Sequence, residues 1–213
     1  MSEQIRKAAS MIAVRESADG PEVLVLERSA GSRFLPGYVA FPGGATDAED
    51  AAHAERWFGS AEEAPRACAV RELLEEVGLA LTARGLRPAD HVSWEPVDAE
   101  PPSAEQLPQI AHWIAPVGVP VRFDARYFAV AAPQDVEPTP DGHEAALAWW
   151  ASPHGLLGDW AAGRRKLYWP TYFTMLALAS RATADELLAL RISTREPDDD
   201  ERERLPRSTF WQE

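Results

Sequence analysis

Three glutamates, Glu72, Glu75 and Glu76, crowd into five positions between an arginine, Arg71, and a glycine, Gly78. On a helix turning about 100° per residue, Glu76 and Glu75 fall about 40° and 60° to either side of Glu72. Val70, Leu73, Leu74 and Val77 spread over roughly 100° to 200°, on the opposite face. The spacing therefore predicts a helix with one carboxylate face and one apolar face, the latter buried. Carboxylates at i and i+4 repel by a few tenths of a kcal/mol, and something must offset that. Solvent does so if the face is exposed; a divalent cation does so if three hard oxygens converge on it. Gly78 stands where a helix C-terminus wants a left-handed residue, and Glu63 lies near the helix start, where the dipole favours an anion. Upstream, Phe41-Pro42-Gly43-Gly44 is a tight turn that lets backbone groups approach a metal or a phosphate closely.

Glu63, then seven residues, then "RELLEEVGL" over 71–79 resembles the Nudix box, G-x5-E-x7-R-E-U-x-E-E-x-G-U with U aliphatic. A chance match to its fixed positions is rarer than ~10⁻⁷ per start site at average residue usage. One departure stands out. Eighteen residues, 45–62, separate Gly44 from Glu63 where the family has five, so an insertion is placed at 45–62. It is Ala-rich and acidic, and "AEDAAHAERWFG" reads as a short helix stopped by Gly59. Glu63 and Arg71 both lie beyond it and are expected to pair; Asp47 follows the glycine pair in the usual acidic spot. Arg28, Ser29, Arg33, Gly37, Val39 to Gly44 and Asp47 keep the register of the pattern that precedes the box in Nudix coenzyme A diphosphatases, with Ser32 and Leu35 replacing Leu and His. "HWIAPVGVPVRFDARYFAVAAP" resembles a branch that also carries box insertions.

The resemblance implies an α/β/α sandwich with a mixed sheet, and hydrolysis of a diphosphate bond with Mg²⁺ or Mn²⁺. Glu72, Glu75 and Glu76 would supply metal oxygens, with the Gly44 carbonyl; Glu63, Arg71 and Gly78 would be structural. A late-loop glutamate serves the family as base or extra ligand, which points to Glu144, with Glu137 second. Arg28, Arg33 and Gly43 are the expected substrate contacts. Coenzyme A or an acyl derivative is the first substrate reading. ADP-ribose or another nucleoside diphosphate derivative, or a non-catalytic ligand sensor, is the alternative.

The rest of the chain must position these groups. At 213 residues it suits one domain, here 1–191, with a C-terminal tail at 192–213. A formal charge of −13 argues against nucleic acid and anionic membranes as partners and asks metal ions and a few arginines to reverse the sign locally. The expected partner is a small-molecule diphosphate, with a homodimer left open. A lone cysteine, Cys68, and no signal-like N-terminus suggest a cytoplasmic protein. Strands are expected at 8–15, 22–28, 38–44, near 79–86, 91–94, 121–133 and 146–152, and helices at 61–77, 153–162, 168–180 and 182–191. Residues 96–108 read as an exposed loop and 192–213 as a tail without fixed structure before its last aromatics. Trp94, Trp113, Trp160 and Trp169 are either base-stacking or core residues.

Overall fold

The computed structural model describes residues 5–115, 122–194 and 197–210. A hairpin opens the chain: β1 (Arg6–Ser17) turns at Asp19-Gly20 into β2 (Gly20–Arg28), with Gly20 at φ +107°, where only glycine is unstrained. There follow β3 (Tyr38–Ala40), β4 (Gly43–Ala45), α1 (Ala48–Phe58) and α2 (Ala64–Val77), the last preceded by a 3₁₀ turn. A small separate hairpin is formed by β5 (Leu79–Thr82) and β6 (Gly85–Pro88). Then come α3 (Glu95–Ala99), β7 (Gln109–Ile114), β8 (Phe123–Ala131), β9 (Ala145–Ala151), α4 (Pro153–Ala161), β10 (Lys166–Leu167), α5 (Trp169–Ala179), α6 (Ala184–Leu188) and α7 (Asp199–Arg204).

The main sheet runs β10-β3-β2-β1-β8-β7, with β4 on β1 and β9 on β2. It is mixed: β1 is parallel to β8 and antiparallel to β2. One edge of β1 is shared. Val14 to Ser17 pair with β2, whereas Ala8 to Ser10 pair with β4. The sheet thus forks, and the fork brings the glycine turn beside α2. Strand residues alternate between two buried faces. Met11, Ala13, Leu24 and Leu26 pack under α1 and α2, while Ile12, Val14, Val23 and Val25 pack under α4, α5 and α6. The expected α/β/α sandwich is what forms.

Three stretches depart from the sequence expectations. Residues 91–94 form no strand. Pro96 in its first turn starts α3, and the Trp94 ring packs against His53 and Trp57 instead. The 96–108 stretch is not a bare loop, since it contains α3 and buries Val97 and Leu107 completely. The tail is also organised. Asp198 and Glu201 close a capping box on α7, Phe210 is buried in the second core, and the Tyr38 hydroxyl donates to the Ser208 carbonyl at 2.7 Å. The expectations for 116–121 and for the final Trp211 lie outside the described residues. No helix among the described residues is long and apolar enough to cross a membrane.

Candidate active site

Helix α2 is covered on both sides. Its apolar residues are fully buried, and two of its three carboxylates are nearly so, Glu76 at 2 % exposure and Glu72 at 7 %, while the Glu75 side chain is 44 % exposed. A wholly solvated charged face is thereby excluded. Gly78 caps the helix at φ +64°, donating to Leu73 and Leu74. Arg71, itself buried, gathers the acids. Its Nε donates to Asp50 Oδ1 at 2.8 Å and its Nη2 to Asp50 Oδ2 at 3.2 Å. Its Nη1 stands 2.9 Å from Glu72 Oε1 and 2.8 Å from Glu75 Oε2.

The partner of Arg71 is a correction. Glu63 was expected in that role, but its carboxylate pairs with Arg66. Eight residues before Arg71, Glu63 is about 12 Å away along the axis. Asp50 takes its place and is wholly buried. It also accepts the Asp47 amide at 2.9 Å, while Asp47 caps α1. Counted from Gly44, Asp50 follows five residues, the spacing at which the box has its first acid. On that count the extra length falls between Asp50 and Arg71, which shares residues 51–62 with the expected 45–62. The sequence held that signal, disguised by an aspartate in a glutamate position.

The glycine turn meets the helix directly. The Gly43 amide donates to Glu76 Oε2 at 2.8 Å. A Cβ on Gly43 would overlap Ser10 and the Ala9 carbonyl, and one on Gly44 would overlap the Glu72 carboxylate. The Gly44 carbonyl accepts from the Cys68 thiol at 3.6 Å. Cys68 has no exposure, and burial, then the Asp50 and Glu72 charges, push its thiol up.

The loop before β9 is sewn to the same helix. The Thr139 and Asp141 amides donate to the Val77 and Glu76 carbonyls, and the Ser29 amide to the Glu144 carbonyl. The Asp141 carboxylate accepts from the amides of His143, Glu144 and Ala145. Glu144 is thus fixed on the rim of a cleft of about 420 Å³ that Arg28, Gly43, Gly44 and Glu72 also line. Glu137 is elsewhere, paired with Arg15 at 2.8 Å. Arg33 is exposed and does not line the cleft. Arg28 does, and its Nε donates to the Phe34 carbonyl at 3.0 Å. Of the four tryptophans, Trp113 and Trp169 line the cleft. The cleft wall also holds Leu35 at φ +50°, a backbone state costing roughly 1–2 kcal/mol for a residue with a Cβ.

Negative charge at this point is poorly compensated. Burial pushes the Glu72 carboxyl up to about 7 against the pull of Arg71. Burial and then the Glu72 charge push Glu76 well above the ordinary carboxylate range, against the Gly43 amide and Arg28. Glu76 Oε1 is buried without a hydrogen-bond partner, and Arg28 Nη1 lies 3.9 Å from it. Among the described residues no three His, Cys, Asp or Glu side chains already stand at metal-ligand spacing, because Arg71 holds Glu72 and Glu75. The donor set still fits a hard divalent cation: crowded carboxylates, one oxygen unsatisfied, and a glycine that leaves room beside Glu72.

A family model described as NUDIX domain matches residues 5–169. Among solved structures, the chain resembles a NUDIX hydrolase from Alicyclobacillus acidocaldarius at 28 % identity, covering 91 % of this chain and all of that one, with a TM-score of 0.74. More distant likenesses include a MutT protein from Methanosarcina mazei Go1, at 18 % identity over 74 % of this chain and 84 % of that one, TM-score 0.47. Another is the NUDIX domain of Shewanella oneidensis NrtR complexed with ADP ribose, at 12 % identity over 76 % and 84 %, TM-score 0.47.

Proposed function

The chain belongs to the NUDIX domain family and is a hydrolase of diphosphate bonds; from that premise we propose that Glu72, Glu75, Glu76 and the Gly44 carbonyl hold Mg²⁺ or Mn²⁺ and that Glu144 is the base. Nudix hydrolases generally use such ions. The observation that carries the reading is the buried Glu76 oxygen left without a partner among carboxylates beside the glycine turn. A bound cation would neutralise phosphate charge and acidify a water. Arg71 keeps Glu72 and Glu75 from turning away, and Glu144 on the rim accepts the proton of the attacking water. Arg28 and the Gly43 turn orient the phosphates. The intact glutamates favour catalysis over a ligand-sensing role.

For the substrate, the register from Arg28 to Asp47 supports coenzyme A or an acyl derivative, with ADP-ribose and other nucleoside diphosphate derivatives as the second reading. Arg28 is the arginine that carries this proposal, since Arg33 is outside the cleft. The test is a panel of coenzyme A, ADP-ribose, NADH and dinucleoside polyphosphates with and without Mg²⁺, repeated on Glu76→Gln. The variant should fold and lose on the order of 10²-fold in kcat. Near wild-type kcat at saturating metal would remove Glu76 from the site.

A further inference from the structure

The cleft changes character along its length. Its charged residues, Arg28, Glu72 and Glu144, are at the glycine-turn end, and the rest of its lining is mostly apolar. Phe34 leads that wall. Its ring lies 5.4 Å from Phe123 at 59° and 6.1 Å from Tyr168 at 83°, and Leu35 is buried beside it. The join between the two ends is direct, because the Phe34 carbonyl holds the Arg28 guanidinium. A group gripped by Arg28 therefore places its next atoms against the Phe34 wall.

Two features say what those atoms are. The rings meet one another tilted or edge-on, which leaves no parallel slot between them for a flat base. Polar tips beside the wall are engaged within the protein: the Trp113 indole donates to Thr174 and the Tyr38 hydroxyl to Ser208, while Tyr127 is buried. A base or sugar pressed there would bury donors and acceptors unpaired, which is penalised. Resting on the diphosphatase reading above, we propose that the wall of Phe34, Leu35, Phe123 and Tyr168 receives an apolar chain carried on the second phosphate, so that the preferred substrates are nucleoside diphosphates esterified to an aliphatic arm.

In the reaction, water oxygen bonds to one phosphorus and the bridging P–O bond breaks, leaving a nucleoside monophosphate and an alkyl phosphate. The experiment measures kcat/KM with Mg²⁺ for the methyl, butyl and octyl esters of ADP, for the octyl ester of UDP, and for ADP-ribose. Octyl should exceed methyl by about tenfold or more, octyl-ADP should exceed ADP-ribose, and the base exchange should matter less than chain length. Phe34→Ala should lower the octyl-to-methyl ratio; if that variant does not fold, the wild-type series decides alone. Cleavage of all substrates with no chain-length dependence overturns the proposal and leaves the diphosphatase reading standing. A base effect larger than the chain-length effect also overturns it and gives the wall to the base. Cleavage of none, with Mg²⁺ or Mn²⁺, overturns both.

Discussion

At Arg71 a single guanidinium organises three acids drawn from two helices, and the identity of the deepest one decides where the box is interrupted. Asp50 makes two hydrogen bonds to it in complete burial. Breaking one partner of such a pair leaves a buried charge uncompensated, at a cost of roughly 3–5 kcal/mol. Glu63 pairs with Arg66 instead and keeps about a third of its side chain exposed, so solvent can take over its charge when the pair is lost, and a pair reached by solvent is worth about 0–1 kcal/mol. Asp50→Asn is thus expected to lower unfolding stability by a few kcal/mol and kcat about tenfold, since Glu72 and Glu75 lose their anchor. Glu63→Gln should change both little. Denaturant unfolding and initial rates on the two variants check this, and a Glu63 variant more damaged than the Asp50 variant would return the pairing to Glu63.

At the scale of elements, the tail reaches the cleft without touching its carboxylates. Phe210 closes the second core, and Ser208 holds the hydroxyl of Tyr38, a cleft-lining residue on β3. Ending the chain before Asp198 should cost about 1.5–3 kcal/mol for the Phe210 side chain alone and raise KM more than it lowers kcat. Steady-state kinetics and a melting curve measure both; an unchanged KM would mean that β3 keeps its place unaided. This tail was poorly legible in the sequence because α7 is short, charged and held by contacts from distant residues. Helix α2 was legible, since its caps, its apolar face and its glutamates all agree. So was α1, from its alanines and Gly59. The stretch 91–94 was misread because four alternating residues are too few to outweigh a following proline and a tryptophan recruited by His53 and Trp57. The family pattern singles out Glu144 as a candidate, yet what holds its backbone, the Asp141 carboxylate on three successive amides, is visible only in the fold.

Across the whole molecule, an acidic chain with a formal charge of −13 buries two further acids where charge is least welcome. Glu72 moves from an ordinary 4.5 to about 7, which at about 1.4 kcal/mol per tenfold in acidity is on the order of 3 kcal/mol. The folded metal-free chain then holds protons that the unfolded chain has released. Its stability must fall as pH rises from about 4.5 through 7. A cation needs the deprotonated carboxylates, so its stabilising effect should grow over the same interval. Melting temperature in chelator is expected to drop between pH 6 and pH 8, and Mg²⁺ to restore more of it at pH 8 than at pH 6. A metal-induced shift that is equal at both values would contradict the assignment of these glutamates.

Cys68 is the chain's single thiol, sealed between the Gly44 carbonyl and the Arg71 guanidinium with its ionisation suppressed by burial. Alkylating reagents act on exposed thiolates, so the native molecule is chemically silent towards them. A cysteine introduced at an open position such as Val92, which is 79 % exposed, would be the one address for a fluorophore or spin label, with the natural residue left in place.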